Sequence, residues 1–70
     1  MDDRLELIAE RLGAIEEELR DLAYDRLREV ARSPDDDAGI AAAAEEKRLL
    51  VARRAVAKAI HALAPQPGDD

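Results

Sequence analysis

The sequence predicts an all-α fold: an antiparallel two-helix hairpin that completes a four-helix bundle by homodimerisation. Three observations carry this. Apolar residues recur at alternating steps of three and four from Leu5 to Leu22, a Ser33-Pro34 step divides the chain, and the charges on either side of that step complement each other when the chain folds back.

The first element opens at Asp3-Arg4-Leu5-Glu6, where an Asp can cap free backbone N–H groups and a Glu three residues on completes a capping box. Leu5, Ile8, Leu12, Ile15, Leu19 and Leu22 then follow the a/d spacing of a coiled-coil seam. The next seam positions are Arg26 and Glu29, while the apolar residues move to Ala23, Leu27 and Val30, so the stripe slips by one residue. Gly13 lies inside this helix but off the seam and reads as a tolerated surface glycine. A helix over about 3–32 is expected.

Ser33-Pro34 ends it, because the residue before proline is pushed out of the α region and proline donates no hydrogen bond. Asp35-Asp36-Asp37 follows in an expected turn at about 33–38. These acids read as capping and first-turn residues of the second helix, where negative charge meets the positive end of the dipole. They lack the spaced ligands, glycine turn and terminal Glu of a calcium loop. Ser33 as cap with Pro34 at the first helical position would start the second helix almost without a loop. A start between Asp36 and Ile40 fits better, since reversal takes a few residues and Gly39 weakens the earlier turn. The second helix is expected over about 38–64, stopped by Pro65, with a disordered tail at 65–70.

Charge by segment gives the pairing direction. Residues 2–25 sum to −6, 26–32 to +2, 33–46 to −5 and 47–61 to +5. Folding at Ser33 sets −6 beside +5 and +2 beside −5, whereas parallel neighbours stack the acidic half on itself. Each exposed pair contributes little, but orientation and register are what such charges decide.

The second helix carries more apolar surface than one partner covers. Leu49, Ala52, Val56, Ile60 and Leu63 form one stripe, flanked by Ala57 and Ala64, and a second strip of Ile40, Ala44, Val51, Ala55 and Ala62 faces away from it. A chain of 70 residues with no cysteine has neither disulfide nor thiolate metal site to supplement a small core. Self-association is therefore expected, with a homodimer the smallest closed solution. The residues assigned to it are Leu12, Ile15 and Leu19, mid-seam and facing the second helix, and Val51 and Ala55 on the second strip.

Composition narrows the function classes. A net charge of −6 opposes nucleic acid as the main partner, and the basic residues Lys47, Arg48, Arg53, Arg54 and Lys58 have no aromatic residue interleaved for stacking. The apolar faces are rich in Ala where membrane insertion wants larger residues, and no apolar run approaches the roughly 20 residues that span a bilayer. With Asp2 and Asp3 at the start and no Cys, a cytoplasmic protein without a signal peptide is expected. His61 is the sole imidazole, and Lys58 stands where a di-metal bundle would need Glu; it reads as a surface histidine. Tyr24, the sole phenol, sits next to the slip of the seam, where interface contact and simple exposure are both open. Glu16-Glu17-Glu18 and Glu45-Glu46 have no nucleophile beside them and read as solvated faces. No catalytic residue, cofactor or metal ligand is assigned.

The stretches Ile15-Glu16-Glu17-Glu18-Leu19-Arg20-Asp21-Leu22-Ala23-Tyr24-Asp25-Arg26-Leu27-Arg28-Glu29, Glu45-Glu46-Lys47-Arg48-Leu49-Leu50 and Ala52-Arg53-Arg54-Ala55-Val56-Ala57-Lys58-Ala59-Ile60 resemble short uncharacterised helical proteins of high-GC actinobacteria. The resemblance implies a cytoplasmic protein with no assigned activity and carries over no functional residue. The expected function is a non-enzymatic self-associating helical module, a small scaffold or accessory protein that can also present a face to another helical protein. The alternative is a nucleic-acid-associated protein using Lys47, Arg54 and Lys58.

Overall fold

A computed structural model of the chain describes residues 3–65. Helix α1 spans Asp3–Arg32 and helix α2 spans Asp37–Leu63, and among the described residues there is no strand. The two helices form an antiparallel hairpin of 54 × 19 × 12 Å, so its thinnest dimension is about one helix diameter. The expected disorder of the tail lies outside the described residues beyond Pro65.

The connection follows from local chemistry. Ser33 N–H still donates to the Glu29 carbonyl at 3.0 Å, continuing the α1 ladder, before Pro34 breaks it. Asp36 N–H donates to the Ser33 carbonyl at 3.4 Å and closes the turn. Asp36 is the N-cap of α2, with extended backbone, and its carbonyl accepts the Ile40 N–H at 3.0 Å. Its side chain makes no capping hydrogen bond, so negative charge beside the helix dipole is the favourable contribution of Asp36 and Asp37. At the far end Ala64 takes extended backbone, as a residue before proline must, and its N–H donates to the Ile60 and His61 carbonyls.

Gly39 is buried in the first turn of α2, against the connection. A Cβ there would overlap the Ser33 carbonyl oxygen and come within 3.5 Å of Pro34 Cα. The glycine that weakens this helix turn is thus what lets the chain reverse so tightly.

The hairpin packs on a different row of α1 from the one that the apolar periodicity suggests. Half-buried or buried positions recur at Ala9, Leu12, Glu16, Leu19, Ala23, Arg26 and Val30, again at steps of three and four. On α2 the matching row is Gly39, Ala42, Glu46, Leu49, Arg53, Val56, Ile60 and Leu63. Leu12 and Leu19 belong to both rows, but Leu5, Ile8, Ile15 and Leu22 are 41–44% exposed along the hairpin's edge. Ile15 therefore does not face α2 as expected. The reason lies in side-chain size and charge. Small residues bring the backbones together at Ala23 and Ala42, which are 4% and 2% exposed, and larger side chains fall beside such a close contact. Arg26 ion-pairs with Glu45 across the interface at 3.7 Å, joining the +2 and −5 segments as the charge pattern requires.

Candidate self-association surface

Every apolar residue buried in the hairpin is an alanine. Ala23 and Ala42 are the buried hydrophobic side chains among the described residues, and no large side chain is fully enclosed. Larger apolar side chains on the hairpin face, such as Leu12, Leu19, Leu49 and Val56, are only half-buried, and Leu5, Leu7, Ile8, Ile15, Leu22, Leu27, Ile40 and Val51 are exposed.

On α1 this exterior surface is the seam read from the sequence. Ile8, Ile15 and Leu22, spaced by seven, line the edge, with Leu5 above them, and the half-buried Leu12 and Leu19 connect that edge to the hairpin interior. The same side of the hairpin continues onto α2: a 390 Å³ groove there is lined by Leu22, Arg26, Glu45, Arg48, Leu49 and Ala52. At the free ends the helices leave a 660 Å³ apolar cleft lined by Leu5, Ala9, Ile60 and Leu63, with Glu6 and Pro65 at its margin. Another groove is lined by Glu16, Leu50, Arg53, Arg54 and Ala57.

The five expected contact residues separate into three environments. Leu12 and Leu19 sit on the hairpin face and are half-buried. Ile15 lies on the exposed edge beside them. Val51 is 66% exposed and Ala55 is exposed, both on the outer surface of α2. Ile40, Ala44 and Ala62 of the second strip are exposed too, whereas Leu49, Ala52, Val56, Ile60 and Leu63 of the first stripe are all half-buried. Ala57 and Ala64, expected to flank that stripe, are exposed.

Sequence reasoning missed the residues that meet inside the hairpin. Ala9, Glu16 and Ala23 are spaced by seven, with Arg26 three residues on, but alanines and charges give no hydrophobic contrast. The signal that could have found them is charge pairing at those positions, since Glu16 and Arg26 sit where α2 supplies Arg53 and Glu45 or Glu46. Arg26 Nε and Arg53 Nε are buried without a hydrogen-bond partner, the cost of placing guanidinium groups in a contact face.

The remaining chemistry is dispersed. Lys47, Arg48, Arg54 and Lys58 are exposed while Arg53 is half-buried in the hairpin, so the basic residues of α2 do not share one face. Surface ion pairs join Arg20 to Glu16 at 4.0 Å and Arg32 to Glu29 at 3.3 Å along α1. His61 is exposed on the last turn of α2, and Tyr24 is 62% exposed. Among the described residues no group of three or more His, Cys, Asp or Glu could hold a metal ion, and no helix is long and apolar enough to cross a membrane. In comparisons with known proteins, no family model matches this chain, and neither a curated protein nor a solved structure shows significant similarity to it.

Proposed function

We propose that this chain is a non-enzymatic self-associating helical module, a small scaffold or accessory protein in which two hairpins close a four-helix bundle. The carrying observation is the inversion of its apolar surface: two alanines are buried, while Leu5, Ile8, Ile15 and Leu22 remain more than two-fifths exposed along one edge. A hairpin one helix thick cannot enclose these side chains, and burial of apolar area is the main favourable term in folding. A second hairpin laid on the same side removes that area from water and closes the assembly with the fewest copies.

Sedimentation equilibrium and circular dichroism, measured on one dilution series, test this. The expected result is a mass of twice 7.7 kDa at high concentration, with helicity lost as the mass falls. A folded monomer at micromolar concentration would overturn the proposal.

A further inference from the structure

We infer that two copies meet along α1, antiparallel, about a twofold axis passing between Leu12 and Ile15. This rests on the self-association reading and names its contact face.

The first ground is the seam. Leu5, Ile8, Leu12, Ile15, Leu19 and Leu22 keep coiled-coil spacing on the edge of α1, but the hairpin uses only Leu12 and Leu19 of them on its own face. Run antiparallel against itself, the seam sets Leu5 across from Leu22, Ile8 from Leu19 and Leu12 from Ile15, so every layer is apolar. The seam also ends where the charged positions Arg26 and Glu29 begin, which confines the contact to the part of the hairpin nearer its free ends. That part holds the uncovered 660 Å³ cleft.

The second ground is charge, and it fixes direction and register. The positions just outside the seam, on the side away from α2, are Arg4, Arg11, Glu18 and Asp25. Along α1 this row reads plus, plus, minus, minus. A parallel copy would set this row across from Ala9, Glu16, Ala23 and Val30, the row that faces α2, and would match only Arg11 with an opposite charge. The antiparallel register above sets Arg4 beside Asp25 and Arg11 beside Glu18 of the second copy, each pair occurring twice by symmetry. Sliding by one heptad brings either Arg11 onto Arg11 or Glu18 onto Glu18 at the axis. One register therefore satisfies the apolar layers and the flanking charges together.

The third ground lies on α2. Ala52 shares the groove with Leu22, so it lies on the same side of the hairpin, and Ala59 follows one heptad later. These small side chains let the second copy approach closely. Val51 points opposite to the hairpin face, outside the contact.

Charge reversal tests the register. The neighbours of Arg11 one turn away on α1 are Leu7, Ile8, Ala14 and Ile15, all uncharged, so reversing its charge breaks no pair within one turn of the helix. Arg11→Glu and Glu18→Arg should each raise the dimer dissociation constant on the order of tenfold, since each turns two attractive pairs repulsive. The double variant should return to within about threefold of the parent, because both pairs re-form with signs exchanged. Losses that simply add in the double variant, or single variants without effect, would overturn the register. Ile15→Asp should give a monomer by sedimentation, while Val51→Glu keeps the dimer mass. If Val51→Glu dissociates the assembly and Ile15→Asp does not, this face is wrong though self-association stands. If the parent protein is monomeric throughout, self-association itself fails.

Discussion

The two glycines that interrupt the helices have opposite consequences. At Gly13 a Cβ would meet nothing within 4 Å, so Gly13→Ala removes backbone freedom from the unfolded chain and adds helix propensity without a clash. A gain of about 0.5–1 kcal/mol is expected in thermal or urea denaturation. At Gly39 the same substitution also gains propensity, but the new methyl group overlaps the Ser33 carbonyl, a backbone atom that cannot rotate away. The turn must open to admit it, and a net loss of about 1–3 kcal/mol is expected. Sequence reads Gly13 as a tolerated surface glycine and Gly39 as weakening the first turn of α2, and neither reading foresees the clash. Only the Ser33 oxygen tells them apart, and it arrives there through the fold of the turn.

Between the helices, polar side chains hold positions that a stable contact would give to leucine. Glu16 and Arg26 on α1, and Glu46 and Arg53 on α2, lie on the hairpin face. Such residues specify register and direction while lowering stability, because burying a charge costs more than its partner returns unless every polar atom is satisfied. Arg53 Nε is not satisfied. Arg53→Leu should therefore raise stability by about 1 kcal/mol, read as an increase of about 4–8 °C in Tm. Glu16 keeps Arg20 as a neighbour on its own helix at 4.0 Å in that variant. These residues also mark how far the sequence can be read. The helical hairpin was legible because proline, the acid run and segment charge act locally or through simple attraction. Which row of α1 meets α2 was not legible. Periodicity shows that Leu5 to Leu22 share a face, but it does not say what covers that face. The row actually used sets alanine, glutamate and arginine at Ala9, Glu16, Ala23 and Arg26 between Leu12, Leu19 and Val30, and the first three types are equally at home on a surface. Of the seam, Leu12 and Leu19 lie on the face toward α2, while Leu5, Ile8, Ile15 and Leu22 stay more than two-fifths exposed.

Taken whole, the molecule is a single layer of two helices 12 Å thick. No side chain in such a layer lies far from water, which is why the buried residues among those described are small ones, Ala23, Gly39 and Ala42. The proposed second layer changes the environment of one broad side only. Amide hydrogen exchange should reflect this: with rising protein concentration, protection should increase along residues 5–22 of α1 and the Ala52 to Leu63 part of α2 together. The turn-proximal residues around Ala42 should follow less steeply. Uniform protection gain along both helices would point to a contact that also covers the closed end.

The tight turn also dictates an order of events. Ser33 and Gly39 are brought together by closing a loop of only a few residues, while joining Leu5 to Leu63 closes nearly the whole chain, and the entropy of closure grows with loop length. Pairing should therefore start at the turn and zip toward the free ends, passing Ala42 and Ala23 first. In rapid-mixing experiments, Ala42→Gly should slow folding, since its loss is already felt at the barrier, whereas Leu63→Ala should mainly speed unfolding. The edge around Leu5 and the cleft beside Leu63 come together last, so the surface proposed to receive a second copy is completed only once each chain has closed on itself.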